Sequence, residues 1–98
     1  QDFVKRYPES AYAANAQYWL GNAYYAQRDY KKAIAAQEVV TTTYANSAKA
    51  PDAMLNIATS YAELKDKVKA KKTLQTLVSK FPGTQAAQSA KDRLAVLK

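Results

Sequence analysis

The chain answers itself every 37 residues, and that period limits its fold more than any single residue does. Phe3-Val4-Lys5-Arg6-Tyr7-Pro8-Glu9-Ser10 is matched by Val40-Thr41-Thr42-Thr43-Tyr44-Ala45-Asn46-Ser47, and again by Leu77-Val78-Ser79-Lys80-Phe81-Pro82-Gly83-Thr84. Aromatic residues recur at 7, 44 and 81, hydroxyl residues at 10, 47 and 84, and alanines at 16, 53 and 90. Between these marks Tyr24 answers to Tyr61, Asp29 to Asp66 and Ala33 to Ala70. A unit this short cannot bury its own apolar face, so units stacked to share one core are the expected architecture.

Each repeated residue type has a physical task. Ser10, Ser47 and Thr84 stand where a helix N-cap is wanted, offering a side-chain oxygen to free backbone N–H groups. Pro8 and Pro82 follow an aromatic residue and are expected to stop the preceding helix. Asp29 and Asp66 open the second helix of each pair, where a carboxylate also suits the positive helix end. The pattern therefore predicts helices at about 11–26, 30–44, 48–64, 67–81 and 85–97, with a helical remnant at 1–6. In domain terms, 1–9 reads as the end of a preceding repeat, 10–46 and 47–83 as two repeats, and 84–98 as a C-terminal capping helix. The composition agrees: 48% hydrophobic residues, rich in Ala and Tyr and with two Gly, suits packed helices. The fold class is all-α, a solenoid of antiparallel helix pairs.

Helical spacing nominates the core. Leu20, Gly21 and Tyr24 share a face of the first helix and should meet Ala33 from its partner. The second pair offers Ile57, Ala58 and Tyr61 against Ala70, Leu74 and Phe81. Small residues at Gly21, Ala33, Ala58 and Ala70 would let helix backbones approach closely, and leucine there would cost roughly 1–3 kcal/mol by overpacking. Trp19 is expected to pack against the preceding repeat, through Phe3-Val4.

These residues resemble the tetratricopeptide repeat, whose pattern is W-x2-L-G-x2-Y, then A-x3-F, then P. The first unit offers Gln17, Leu20, Gly21, Tyr24, Ala33, Gln37 and Ala45 at those positions, and the second Met54, Ile57, Ala58, Tyr61, Ala70, Leu74 and Pro82. The pattern's Trp is missing from both units, and Gln37 and Ala45 depart in the first, yet every internal spacing is kept. A wider likeness spans most of the chain. Y-P-E-S at 7–10, Y-W-L-G-N-A-Y-Y at 18–25, D-Y-K-K-A at 29–33, K-A-P-D-A-M at 49–54 and F-P-G-T at 81–84 are similar to the C-terminal repeat domain of the YbgF (CpoB) family of the Tol–Pal system. That resemblance implies a periplasmic protein that is trimeric through an upstream coiled coil absent from this chain. It also implies binding to TolA, a peptidoglycan synthase complex as a further partner, and a role in coordinating outer-membrane constriction with peptidoglycan synthesis during division. Outer-membrane-assembly lipoproteins of the BamD type carry similar Y-P-x-S repeats and stand as the alternative.

In stacked helix pairs the first helix of each pair lines the concave face, and residues unclaimed by the core become candidate contacts for a partner protein. These are Asn15, Tyr18, Asn22 and Tyr25 in the first unit, and Leu55, Thr59, Ala62 and Glu63 in the second, with Asp92 and Val96 on the last helix. Tyrosine buries area at low entropic cost and amides can hold a peptide backbone. The bland alternative is that Tyr18 and Tyr25 complete the core.

The net charge of +7 raises the question of nucleic acid or an anionic membrane surface as partner. No helix-turn-helix or RNA-binding motif appears, and the arginines are only Arg6, Arg28 and Arg93, so nucleic acid is not expected and membrane contact would be peripheral at most. The basic run at 65–72 should spread around an outer helix as a solvated convex face. Histidine and cysteine are absent, which removes the commonest acid–base group, the commonest metal ligand and any thiolate. Gly21 and Gly83 stand alone, so there is no phosphate loop. Neither catalysis nor a cofactor is expected.

Overall fold

A computed structural model describes the backbone of residues 2–97 and the side chains of residues 12–96. Five helices follow one another: α1 (Asp2–Ala26), α2 (Tyr30–Thr42), α3 (Ala50–Glu63), α4 (Lys67–Lys80) and α5 (Gln85–Leu97). No strand occurs among the described residues. Each helix packs on the next, and α3 also touches both α1 and α5, whereas α2 and α4 do not touch each other. Helices α1, α3 and α5 thus form one layer and α2 and α4 the other, in a slab of 50 × 31 × 16 Å.

The turn inside each pair is built twice by the same chemistry. The Asp29 carboxylate accepts from the Lys32 N–H at 3.3 Å to start α2, and Asp66 accepts from the Lys69 N–H at 3.1 Å to start α4. Just before each cap a residue adopts the left-handed conformation, Arg28 at φ 65° and Lys65 at φ 67°. This lets Asp29 N–H reach back to Tyr24 O and Asp66 N–H to Tyr61 O, both at 2.9 Å, closing orphan carbonyls at the helix ends. Thr84 caps α5, accepting from the Ala87 N–H at 3.1 Å.

Two expected boundaries are corrected. Ser47 does not cap α3; its hydroxyl accepts from Lys49 N–H at 3.1 Å in a turn ahead of the helix. Pro51 sets the start instead, because a proline fits the first helical turn, where N–H groups lack partners anyway. Likewise Pro8 does not stop a helix and Ser10 does not cap one, since the backbone is helical from Asp2 through Ala26. A proline forgoes one backbone hydrogen bond, and this helix runs on across that gap. The side chains of Phe3 and Val4 lie outside the described residues.

The core is a row of small residues and aliphatics at the helix crossings. Met54, Ala58, Leu74, Leu77, Ala86 and Ala90 form the larger cluster, edged by Leu55, Val78, Phe81 and Leu94. Val40, Ala50 and Ala53 form the smaller one, with Tyr18 and Phe81 against it. Gly21, Ala33, Ile57 and Ala70 are buried, and Tyr24, Tyr61 and Phe81 are half-buried. Gly21 sits where a close approach demands glycine: a Cβ built there would lie 2.7 Å from Cγ of Gln37 and nearer still to its amide.

Leu20 and Trp19 are exceptions to the expected packing, at 42% and 60% exposed. The repeat explains both. Their register partners on α3 are Ile57 and Asn56, on the helix that α2 contacts, and Ile57 is buried. Ala53 is likewise buried where Ala16 is exposed. Among the described residues no helix covers the corresponding face of α1.

Candidate protein-binding face

The inner layer is stitched by side chains that reach from one first helix to the next. Asn22 on α1 accepts at Oδ1 from Asn56 Nδ2 on α3 at 2.8 Å. Thr59 on α3 accepts at Oγ1 from an Arg93 guanidinium N–H on α5. Asn22 and Thr59 are register partners, and in each case the donor lies 34 residues further on, which is one repeat less one helical turn. A third link joins the same helices, with the Tyr25 hydroxyl donating to Glu63 Oε2 at 3.1 Å. Burial raises the Tyr25 pKa above the ordinary tyrosine value, and the hydrogen bond and charge of Glu63 push the same way. Tyr30 closes on the Tyr25 ring edge-on at 5.3 Å between centroids.

The expected contact residues therefore divide into three kinds. Tyr18 and Leu55, also register partners, lean half-buried on the two core clusters and act largely as packing. Asn22, Thr59 and Tyr25 are half-buried and already hold the seam between helices. Asn15, Ala62, Glu63, Asp92 and Val96 are exposed, as is Arg93. The linking roles of Asn56 and Arg93 do not show in the 37-residue register because they depend on an offset of one turn between repeats. The spacing of 34 residues was the signal that could have found them.

Beneath this seam Gln37 of α2 is 1% exposed. Its Nε2 donates to Tyr18 O at 3.1 Å and to Asn22 Oδ1 at 3.4 Å. A polar residue thus fills the large-residue position of the first unit by hydrogen-bonding up into the inner layer. The second unit differs. Leu74 replaces Gln37 and Ala62 replaces Tyr25 in the register, and there a hollow of about 350 Å³ opens, lined by Ala58, Ala62, Ala70, Leu74, Arg93 and Val96 among others. Its walls are mainly apolar, with Arg93 and Asp92 beside them, so it can take an apolar side chain next to a charged rim.

Among the described residues no three carboxylates gather closely enough to hold a metal ion, and no helix is long and apolar enough to cross a membrane. No curated protein matches the chain. The family model of the tetratricopeptide repeat matches it twice, at residues 15–47 and 52–84, each span running from a first helix through its partner. With two copies covering about two thirds of its length, this chain belongs to the tetratricopeptide repeat family, whose repeats serve as scaffolds for protein–protein interaction.

Proposed function

We propose that this chain is the protein-binding domain of a Tol–Pal scaffold in the periplasm, holding a segment of TolA against the layer formed by α1, α3 and α5. The observation that carries the binding mode is the apolar hollow at Ala62, set beside an exposed carboxylate at Asp92 and an exposed guanidinium at Arg93. An extended or helical segment laid across the layer would seat one apolar side chain in the hollow and find a partner for either charge at its rim. The choice of TolA, of a peptidoglycan synthase complex as further partner, and of a role in division rests on the resemblance of residues 7–10, 18–25, 29–33, 49–54 and 81–84 to the YbgF (CpoB) family.

Calorimetric titration with the periplasmic part of TolA tests this reading. Wild type should bind, Ala62→Trp should weaken binding about tenfold or more by plugging the hollow, and Asn22→Ala with Tyr25→Ala should weaken it further. Thermal unfolding of the same variants separates lost docking from lost fold. No heat of binding with the wild type, or undiminished affinity in folded Ala62→Trp, would refute it.

A further inference from the structure

The opposite layer carries a second cleft that the reading above does not use. Because α2 and α4 do not touch, a groove of about 700 Å³ opens between them, floored by Met54, Ile57 and Tyr61 of α3. Ala35, Glu38 and Val39 line one wall and Lys69 and Lys72 the other. Four threonines also line it, and all four turn their hydroxyls back onto their own helix. Thr41 and Thr42 donate to Glu38 O at 3.1 and 2.7 Å, Thr73 to Lys69 O at 2.7 Å, and Thr76 to Lys72 O at 3.0 Å. Their donors are spent on backbone, so the walls offer the cleft few free hydrogen bonds and considerable apolar surface.

The two walls of this groove differ in charge: α2 contributes one carboxylate, Glu38, and α4 contributes Lys69 and Lys72. Six lysines and one aspartate lie between residues 65 and 80, which places five of the seven net positive charges on α4 and its entry turn. Lys72 also borders an adjoining concavity with Gln75 and Lys80, so the basic rim continues along the helix. Among the described residues the ion pair within 4.0 Å is Lys32 with Asp29, so no α4 lysine has a carboxylate that close. Lys69 lies 5.7 Å from the Tyr61 ring centre, over an apolar floor. The lysines of 65–72 are exposed, as expected of a solvated face, and their helical spread brings Lys69 and Lys72 to one groove wall.

We infer that this groove docks an acidic amphipathic helix of a partner protein, apolar ridge on the Met54–Ile57–Tyr61 floor and carboxylates against the α4 lysines. The 14 residues of α4 give a wall about 21 Å long, which matches a partner helix of about four turns. Charge complementarity selects the occupant: an apolar ridge alone would fit many helices, and the unpaired lysines favour one flanked by Glu or Asp. A flat anionic membrane cannot place its apolar part in a cleft between two helices, and nucleic acid offers no apolar ridge for the floor.

The test uses three probes: a side-chain-stapled 14-residue helix with leucines at i, i+3 and i+7 and glutamates on the one flank that would face α4, the same peptide with lysines for glutamates, and vesicles of phosphatidylglycerol and phosphatidylcholine. Fluorescence anisotropy should show the acidic helix binding, with the lysine version at least about tenfold weaker. Lys69→Glu with Lys72→Glu should reduce affinity by a similar factor through charge, and Ala35→Trp should do so by filling the cleft. Circular dichroism confirms that each variant is folded. Equal affinity for the acidic and basic peptides, indifference to both folded variants, or vesicle binding with the acidic peptide inert would overturn the inference. Ala62→Trp on the other layer should leave this binding unchanged, so failure here and failure of the inner-layer reading are told apart.

Discussion

A glutamine amide withdrawn from water must find partners or lower stability by about 1–3 kcal/mol per unsatisfied group. Gln37 finds its donors' partners in Tyr18 O and Asn22 Oδ1, although its own Oε1 has none. Gly21 leaves the space that makes this possible, and the pair forms a unit: a larger residue at 21 displaces the amide that stitches the layers. In Gly21→Ala two effects compete. Alanine gains about 1 kcal/mol of helix propensity, while the clash with a buried, hydrogen-bonded side chain costs about 1–3 kcal/mol plus about 1 kcal/mol for each bond lost. The clash should win, and chemical denaturation should show Gly21→Ala less stable by about 1–2 kcal/mol. The glycine and the glutamine were both legible as repeat positions. Their partnership was not, since nothing in the spacing says that the polar residue at 37 points into the core. Leu20 was read as core for the converse reason. Its own periodicity is right, but burial is conferred by neighbouring helices: Ile57 sits on α3, which packs against α1, α2, α4 and α5, and is buried, whereas Leu20 on α1 stays 42% exposed.

At the scale of the helix, stability comes from capping repeated in register. Asp29 and Asp66 close the starts of α2 and α4, and both were readable because a carboxylate just ahead of a helical run has one main local use. Replacing Asp66 with alanine should lower stability by about 1 kcal/mol, and Asp66→Ser should recover most of it; urea titrations of the two variants check this. The positions that misled were Pro8, Ser10 and Ser47, where local chemistry permits more than one outcome. A serine hydroxyl serves a turn as readily as a cap, and Pro51, placed in the first turn of α3, decides against Ser47.

For the whole molecule, the two layers give two unlike surfaces. The inner one, of α1, α3 and α5, holds a hydrogen-bonded seam and one apolar hollow; the outer one, of α2 and α4, holds a longer groove with a basic wall. The period of 37 residues made the layering legible, because each pair must stack on the next. The asymmetry between units was less so: that Ala62 in place of Tyr25 opens a hollow follows only once both are known to face the same seam. The inner layer as the docking face for a protein segment is the centre of the account. Its most direct test is the amide spectrum of the ¹⁵N-labelled chain during titration with the periplasmic part of TolA. The largest shifts should fall at Asn22, Tyr25, Ala62, Glu63 and Arg93; shifts confined to α2 and α4, or a spectrum that TolA leaves unmoved, would contradict it.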